Sequence, residues 1–119
     1  HIMLQQKPTL QCIVLDDVFQ HRALRPHLSI LLTEYNKPFF KDHVLPFGRL
    51  RERKSATRRA DIIVVTKCPS DIGYMKSYFE TKIKQYHLDK NVPIFFTQIK
   101  YHVPEPVLPL MNPWIKPSE

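Results

Sequence analysis

A stretch rich in β-branched residues reads Asp61-Ile62-Ile63-Val64-Val65-Thr66. Three other short apolar runs occupy residues 10–15, 28–33 and 92–97, the last with a proline near its start, where a strand tolerates one. Short apolar runs that end in polar residues are typical of strands buried in a parallel sheet. The sequence therefore predicts a mainly parallel sheet of about four strands.

A helix is predicted between the third and fourth of these strands, over roughly residues 70–87. Its apolar residues recur at spacings of three and four and form one stripe: Ile72, Met75, Phe79, Ile83 and Tyr86. Ser70 or Asp71 can cap its start. A strand, a helix and a strand in this order predict a right-handed parallel crossover, and hence an α/β fold.

The connection over residues 34–60 is long and irregular, with two prolines and Gly48 ahead of a charged run from Arg49 to Arg59. A short helix is predicted at about residues 50–58. A connection of this length inside a compact domain is usually functional, so we expect it to contribute to a site.

The composition is that of an ordinary globular protein with a strong basic excess. Hydrophobic residues make up 43% of the chain and charged residues 24%, and the formal net charge is +7. This charge favours an anionic partner such as phosphate, nucleic acid or an acidic membrane, although a solvated basic surface explains it too. Only two glycines are present, which excludes a Gly-rich phosphate loop from these 119 residues. Cys12 and Cys68 lie outside any CxxC pattern, which favours a reduced, cytosolic protein.

Three parts are predicted along the chain. Residues 1–9 are interpreted as a tag remnant (His1-Ile2-Met3) with a frayed N-terminus, and residues 10–101 as the α/β domain. Residues 102–119 are rich in proline and are interpreted as an extended tail. The apolar runs are far shorter than the roughly 20 residues needed to cross a bilayer.

Two acids follow the first predicted strand, in the stretch Leu15-Asp16-Asp17-Val18-Phe19-Gln20-His21-Arg22. Ligands gather at the carboxyl ends of strands in open parallel sheets, and an acid there can hold Mg²⁺ beside a phosphate. Gln20 and His21 can orient a water, a hydroxyl or a phosphate. A lone Asp after a strand is more often a plain turn residue and a lone His a surface residue, but two acids followed by Gln-His favour a site.

A second candidate cluster follows Gly48 and comprises Arg49, Arg51, Glu52 and Arg53. Guanidinium groups fork onto phosphate oxygens, and Glu52, compensated by these arginines, can serve as an acid near a metal. A solvated charged helix face explains the same residues equally well. Lys67 follows the third predicted strand, where it can line a nucleotide pocket or be an ordinary solvated lysine.

A different class of function is open as well. The chain can be a stand-alone basic module that binds nucleic acid or anionic membrane through Arg49 to Arg59. The run lacks the interleaved aromatic residues and the motifs that nucleic-acid-binding modules usually show.

Four segments of the chain form a recognisable set: Leu15-Asp16-Asp17-Val18-Phe19-Gln20-His21, Leu45-Pro46-Phe47-Gly48-Arg49-Leu50-Arg51-Glu52, Arg59-Ala60-Asp61-Ile62-Ile63-Val64-Val65-Thr66-Lys67 and Phe95-Phe96-Thr97. Taken together they resemble the tetraacyldisaccharide 4'-kinase (lipid A 4'-kinase) family of Gram-negative bacteria, in a Bacteroidetes-like form. Their order and spacing agree with the family over about residues 10–101.

The resemblance implies a partial P-loop NTPase-like (Rossmann-like) three-layer fold. It also implies a kinase that uses ATP and Mg²⁺ to phosphorylate the 4'-hydroxyl of a lipid-linked disaccharide 1-phosphate, at the cytoplasmic face of the inner membrane. Metal-binding roles fall to Asp16, Asp17 and Glu52. The catalytic roles fall to the same three acids with Gln20 and His21. Arg49, Arg51 and Lys67, by their residue types and positions, are predicted to bind nucleotide or phosphate.

Two features depart from the family pattern. Val18 stands where the family has a small residue, which predicts a tighter turn after the acids. The family's Gly-rich phosphate loop is absent from these residues, so the chain is interpreted as an internal fragment, soluble and without kinase activity on its own. Such a fragment is expected to form a homodimer, because exposed sheet edges and apolar faces favour pairing with a second copy.

Overall fold

The computed structural model describes residues 9–87 and 91–103, and its centre is a three-stranded parallel sheet. The strands are β1 (Ile30–Glu34), β2 (Ile62–Thr66) and β3 (Ile94–Phe96), in the order β1-β2-β3. β1 and β2 pair in parallel from Ile30 opposite Ile62 to Glu34 opposite Thr66. The parallel α/β arrangement predicted from the sequence is thereby confirmed, with strand ends shifted by one or two residues.

One helix, α1 (Met75–Lys84), connects β2 to β3 and covers one face of the sheet. The predicted apolar stripe is confirmed: Phe79 and Ile83 are fully buried, and the flanking apolar residues of the stripe are partly buried. The predicted helix start is wrong. Gly73 has a left-handed φ of +38°, and its N–H donates to the Asp71 carboxylate at 2.9 Å, so the chain turns before the helix begins. Neither Ser70 nor Asp71 caps it, because the residue at the N-cap is Tyr74, which makes no side-chain bond.

The core lies between α1, the sheet and a 3₁₀ helix at Phe39–Lys41. Phe40 packs edge-on against Phe79 with ring centroids 5.3 Å apart. The Phe39 N–H donates to the buried Thr33 hydroxyl of β1 at 3.0 Å, which fixes this helix against the strand. The other face of the sheet is apolar and open, since Leu32 is 66% exposed and Phe95 53%.

Residues 10–15 do not form the predicted strand. Val14 is 88% exposed, and no backbone hydrogen bond in the described part of the chain joins this run to the sheet. An apolar run becomes a strand only when a neighbouring strand accepts its hydrogen bonds, and the run itself does not specify that neighbour. The prediction of about four strands is therefore reduced to three in the described residues, and the P-loop-like three-layer fold stays a prediction.

The long connection from β1 to β2 folds into two short 3₁₀ helices with a closed loop between them. The second 3₁₀ helix is Lys54–Arg59, which confirms a short helix here but places it later than residues 50–58. The loop between them, residues 42–50, is called the 42–50 loop below. None of the helices in residues 9–87 and 91–103 combines the length and apolar character that a bilayer crossing needs. Residues 1–8 and nearly all of the predicted tail lie outside the described residues.

Candidate functional site

The two acids lie in a turn, residues 16–21, which we call the Asp-Asp turn. The His21 N–H donates to the Val18 carbonyl at 2.8 Å and closes it. Asp17 has a left-handed φ of +49°, a conformation that Asp tolerates better than most residues. Its carboxylate accepts a bond from Arg51 Nη1 at 2.8 Å. The backbone reversal thus falls on Asp17 itself, and not on Val18.

Arg59 holds the Asp-Asp turn against the connection. Its Nη2 donates to the Glu52 carboxylate at 2.7 Å and to the Phe19 carbonyl at 2.9 Å. Its guanidinium carbon also lies 4.7 Å from the centre of the Phe19 ring. Glu52 is thereby held close to the Asp-Asp turn. The sequence interpretation placed Arg59 in the charged run and in one of the family segments, and it missed this connecting role.

A cavity of about 290 Å³ opens between the Asp-Asp turn and the connection. Five of the predicted site residues line it, namely Asp17, Gln20, Arg49, Arg51 and Glu52. Arg53 and Lys54 line it as well. The cavity therefore combines two carboxylates, an amide, three guanidinium groups and an ammonium group, a set suited to a phosphate and its counter-ion.

Three predicted site residues do not line this cavity: Asp16, His21 and Lys67. Asp16 and His21 are exposed on the same turn. Lys67 follows β2, has a left-handed φ of +58°, and bonds to the Glu34 carboxylate at the end of β1 at 2.6 Å. This bond is the main reason that the pKa of Glu34 is lowered.

The 42–50 loop is organised by Asp42, which the sequence interpretation missed. Its carboxylate accepts the backbone N–H groups of His43 at 2.8 Å and Arg49 at 3.2 Å, and the Arg49 side chain forks onto it through Nε and Nη2, both at 2.9 Å. The His43 and Arg49 N–H groups are the first causes that lower the pKa of Asp42. Gly48 permits this closure, because a Cβ there would collide with the His43 carbonyl and the Asp42 carboxylate. Asp42 thus fixes Arg49 at the cavity.

No three acidic, histidine or cysteine side chains come close enough together, among residues 9–87 and 91–103, to form a metal cage of their own. Asp17 and Glu52 nevertheless line the same cavity. Mg²⁺ is usually held by one or two carboxylates together with water and phosphate oxygens. The donor set in the cavity therefore fits a magnesium ion that arrives with a phosphate.

Comparison with known proteins gives one consistent family. Residues 1–102 match the family model described as Tetraacyldisaccharide-1-P 4'-kinase. The tetraacyldisaccharide 4'-kinase of Bacteroides thetaiotaomicron is 41% identical over 107 residues, which are 90% of this chain and 28% of that protein. That of Cytophaga hutchinsonii is 44% identical over 99 residues, 83% of this chain and 27% of that protein.

A third relative, the tetraacyldisaccharide 4'-kinase of Porphyromonas gingivalis, is 52% identical over 69 residues, 58% of this chain. The chain thus spans little more than a quarter of the length of the first two relatives. No solved structure matches it significantly. The Bacteroidetes-like character predicted from the sequence is confirmed by these relatives.

Proposed function

The chain belongs to the tetraacyldisaccharide-1-P 4'-kinase family, and from this we propose that it forms part of the phosphoryl-transfer site of such a kinase. The proposed reaction moves the γ-phosphate of ATP to the 4'-hydroxyl of a tetraacyldisaccharide 1-phosphate, a step in lipid A biosynthesis. The observation that supports it most directly is the cavity, which gathers Asp17, Gln20, Arg49, Arg51 and Glu52 from two distant segments.

Asp17 and Glu52 are the proposed metal-binding acids, with Asp16 beside them on the turn. Each of the first two is already paired, to Arg51 at 2.8 Å and to Arg59 at 2.7 Å. These pairs hold the two carboxylates at fixed positions. A bound Mg²⁺ would neutralise charge on the transferred phosphoryl group and align it with the attacking oxygen.

Arg49 and Arg51 are the proposed phosphate-binding residues. Both line the cavity while more than half of each side chain stays exposed. A guanidinium bound to a carboxylate on one side keeps free N–H donors on its other side, so each can still bind a phosphate oxygen. Gln20 lines the same cavity and is proposed to orient the hydroxyl or a water.

His21 and Lys67 are proposed to contact the substrate or nucleotide from outside the cavity lining. Lys67 is held at the carboxyl ends of β1 and β2, the edge at which parallel sheets bind ligands. The sequence offers only Gly48 and Gly73 for a phosphate loop. We therefore expect the 119 residues by themselves to transfer no phosphate, and we expect the whole kinase to meet its lipid substrate at the cytoplasmic face of the inner membrane.

The arrangement favours this reaction over binding of nucleic acid by the Arg49–Arg59 run. Three arginines of that run are engaged by Asp42, Asp17 and Glu52. Two of them, Arg49 and Arg51, line the cavity, which suits a compact phosphate group better than the extended row of phosphates along a nucleic-acid backbone. A salt titration of binding to generic DNA and RNA separates the two functions: salt-sensitive micromolar binding would favour the basic module.

The test is a chimera in which residues 10–101 replace the matching segment of the Bacteroides thetaiotaomicron kinase. Transfer of ³²P from γ-labelled ATP to tetraacyldisaccharide 1-phosphate is measured by chromatography. The chimera is expected to be active, and Asp16→Asn, Asp17→Asn and Glu52→Gln are each expected to lower the rate by on the order of 100-fold, since each removes the charge of a proposed metal-binding acid.

Asp71→Asn is the matched control, because Asp71 is an exposed acid outside the cavity and asparagine can accept the same Gly73 bond. Its activity should equal that of the unmodified chimera. A folded but inactive chimera, or full activity after Asp17→Asn, would refute the proposed function.

A further inference from the structure

The 42–50 loop carries two exposed apolar side chains at its tip. Phe47 is 89% exposed and Leu45 60%. Exposing a phenylalanine to water is unfavourable, because the free energy falls when its apolar ring is transferred out of water. An exposed aromatic side chain at the tip of a loop therefore needs a reason.

Backbone hydrogen bonds close the loop beneath this tip, so the tip side chains are held in their exposed positions. The Leu45 N–H donates to the Leu50 carbonyl at 2.9 Å, and the Leu50 N–H donates to the His43 carbonyl at 3.0 Å. The Phe47 N–H donates to the Val44 carbonyl at 3.1 Å, which closes a tight turn at the tip. A loop held in this way loses little conformational entropy when its tip enters another phase.

The surroundings of the tip are basic. From Lys41 to Lys54 the chain has five basic and two acidic side chains. Arg49 and Arg51, directly behind the tip, are each more than half exposed despite their ion pairs. A net positive charge beside an aromatic tip is the combination that binds the surface of a membrane with anionic headgroups.

We propose that the 42–50 loop inserts Phe47 and Leu45 into the interface of an anionic phospholipid bilayer. The occupant of this surface is the lipid headgroup region, because an acidic surface matches the basic flanks and the acyl boundary matches the apolar tip. Arg49, Leu50, Arg51 and Glu52 follow the tip directly and line the cavity, so insertion places the cavity mouth at the membrane.

The purpose of membrane insertion rests on the proposed function, since a kinase whose substrate is a lipid must reach that lipid in its bilayer. The test of insertion is independent of the proposed function. Vesicle binding requires neither ATP nor transfer, so the chimera can fail while insertion is observed, and insertion can fail while the chimera is active.

The experiment uses the 119-residue chain and vesicles of phosphatidylethanolamine with about 30% phosphatidylglycerol, whose anionic headgroups give a negative surface potential. Partition is measured by co-sedimentation. Phe47→Ser is expected to weaken partition about tenfold, since it removes the side chain that leaves water. Vesicles of neutral phosphatidylcholine are expected to bind more weakly than the anionic ones.

Tyr101→Ser is the matched control, because Tyr101 is 90% exposed but lies outside the loop. It should leave partition unchanged. A direct readout comes from Phe47→Trp in a Trp114→Phe background, which leaves one tryptophan at the tip. Its emission should shift to the blue on anionic vesicles and be quenched by lipids brominated near the headgroup.

Equal losses from Phe47→Ser and Tyr101→Ser would overturn the proposal, and so would a tip tryptophan whose emission does not shift on anionic vesicles. Equal partition into neutral and anionic vesicles would overturn the electrostatic part, and with it the choice of occupant. If the chain does not partition onto vesicles and instead binds a protein through this loop, the proposal is wrong.

Discussion

Replacing Gly48 with alanine should destabilise the protein more than replacing Gly73, although only Gly73 has a left-handed φ. A methyl group on Gly48 would overlap the backbone of His43 and the Asp42 carboxylate, which are fixed by the loop's own hydrogen bonds. Forcing an extra methyl group into a closed site costs about 1–3 kcal/mol. Loss of the bond from the Leu50 N–H to the His43 carbonyl adds about 1 kcal/mol.

The sum, about 2–4 kcal/mol, predicts that the urea midpoint of Gly48→Ala falls by about 1 M or more, for a slope near 2 kcal/mol/M. Gly73→Ala is the control. The nearest atom to its new methyl group is 3.6 Å away, so only the left-handed φ opposes it, at about 1 kcal/mol. Urea unfolding followed by far-ultraviolet circular dichroism measures both.

The reasoning is refuted if Gly73→Ala loses more stability than Gly48→Ala, because steric closure of the loop would then be the smaller effect. A second check uses Asp42→Ala. The methyl group of Gly48→Ala displaces the same carboxylate that Asp42→Ala removes, so the two changes should be less than additive. Strict additivity would show that Asp42 and Gly48 act independently.

Acid should loosen the 42–50 loop, because the pKa of the Asp42 carboxyl is lowered in the folded protein. The contribution of Asp42 to stability is therefore complete above the ordinary carboxyl pKa, and it is lost as the pH falls through the lowered value. Asp42→Asn should therefore flatten the fall in melting temperature below about pH 4, and an unchanged fall would contradict this. Arg59→Lys should keep the ion pair with Glu52 but lose the hydrogen bond to the Phe19 carbonyl. Hydrogen exchange of the backbone amides in the Asp-Asp turn should then become about tenfold faster, with little change in melting temperature. Unchanged exchange would count against the connecting role of Arg59. Leu32→Ser should convert the expected homodimer to a monomer in sedimentation, because Leu32 is 66% exposed on the open sheet face, and a monomeric unmodified chain at high concentration would exclude self-association.

The elements that the sequence predicted well are those whose pattern is local. Five β-branched residues in succession define β2, and the stripe that contains Phe79 and Ile83 defines the buried face of α1. Residues 10–15 have an equally apolar pattern and are not a strand, because a strand also needs a hydrogen-bonding neighbour that lies elsewhere in the chain. The start of α1 was missed because a single left-handed glycine outweighs the apolar stripe that continues before it.

The residues of the candidate site also fall into those that the sequence predicted and those that it missed. The resemblance brought Asp17 and Glu52 together although 34 residues separate them, which no spacing rule could do, and the cavity contains both. Asp42 and Arg59 were missed because each acts across a loop: Asp42 binds Arg49 seven positions away, and Arg59 binds Glu52 seven positions away. Seven positions carry no periodic meaning in a 3₁₀ or irregular segment, so the sequence alone offered no signal beyond the presence of opposite charges.

Two of the predicted site residues, Asp17 and Lys67, have a left-handed backbone conformation. Asp17 and Lys67 are the only residues other than glycine with a left-handed φ in residues 9–87 and 91–103. Such a conformation costs about 1–2 kcal/mol for most residues and is concentrated where surrounding contacts hold it, often at functional positions. Here the contacts are the bonds to Arg51 and Glu34. Because the reversal lies at Asp17, the valine at position 18 meets no left-handed strain.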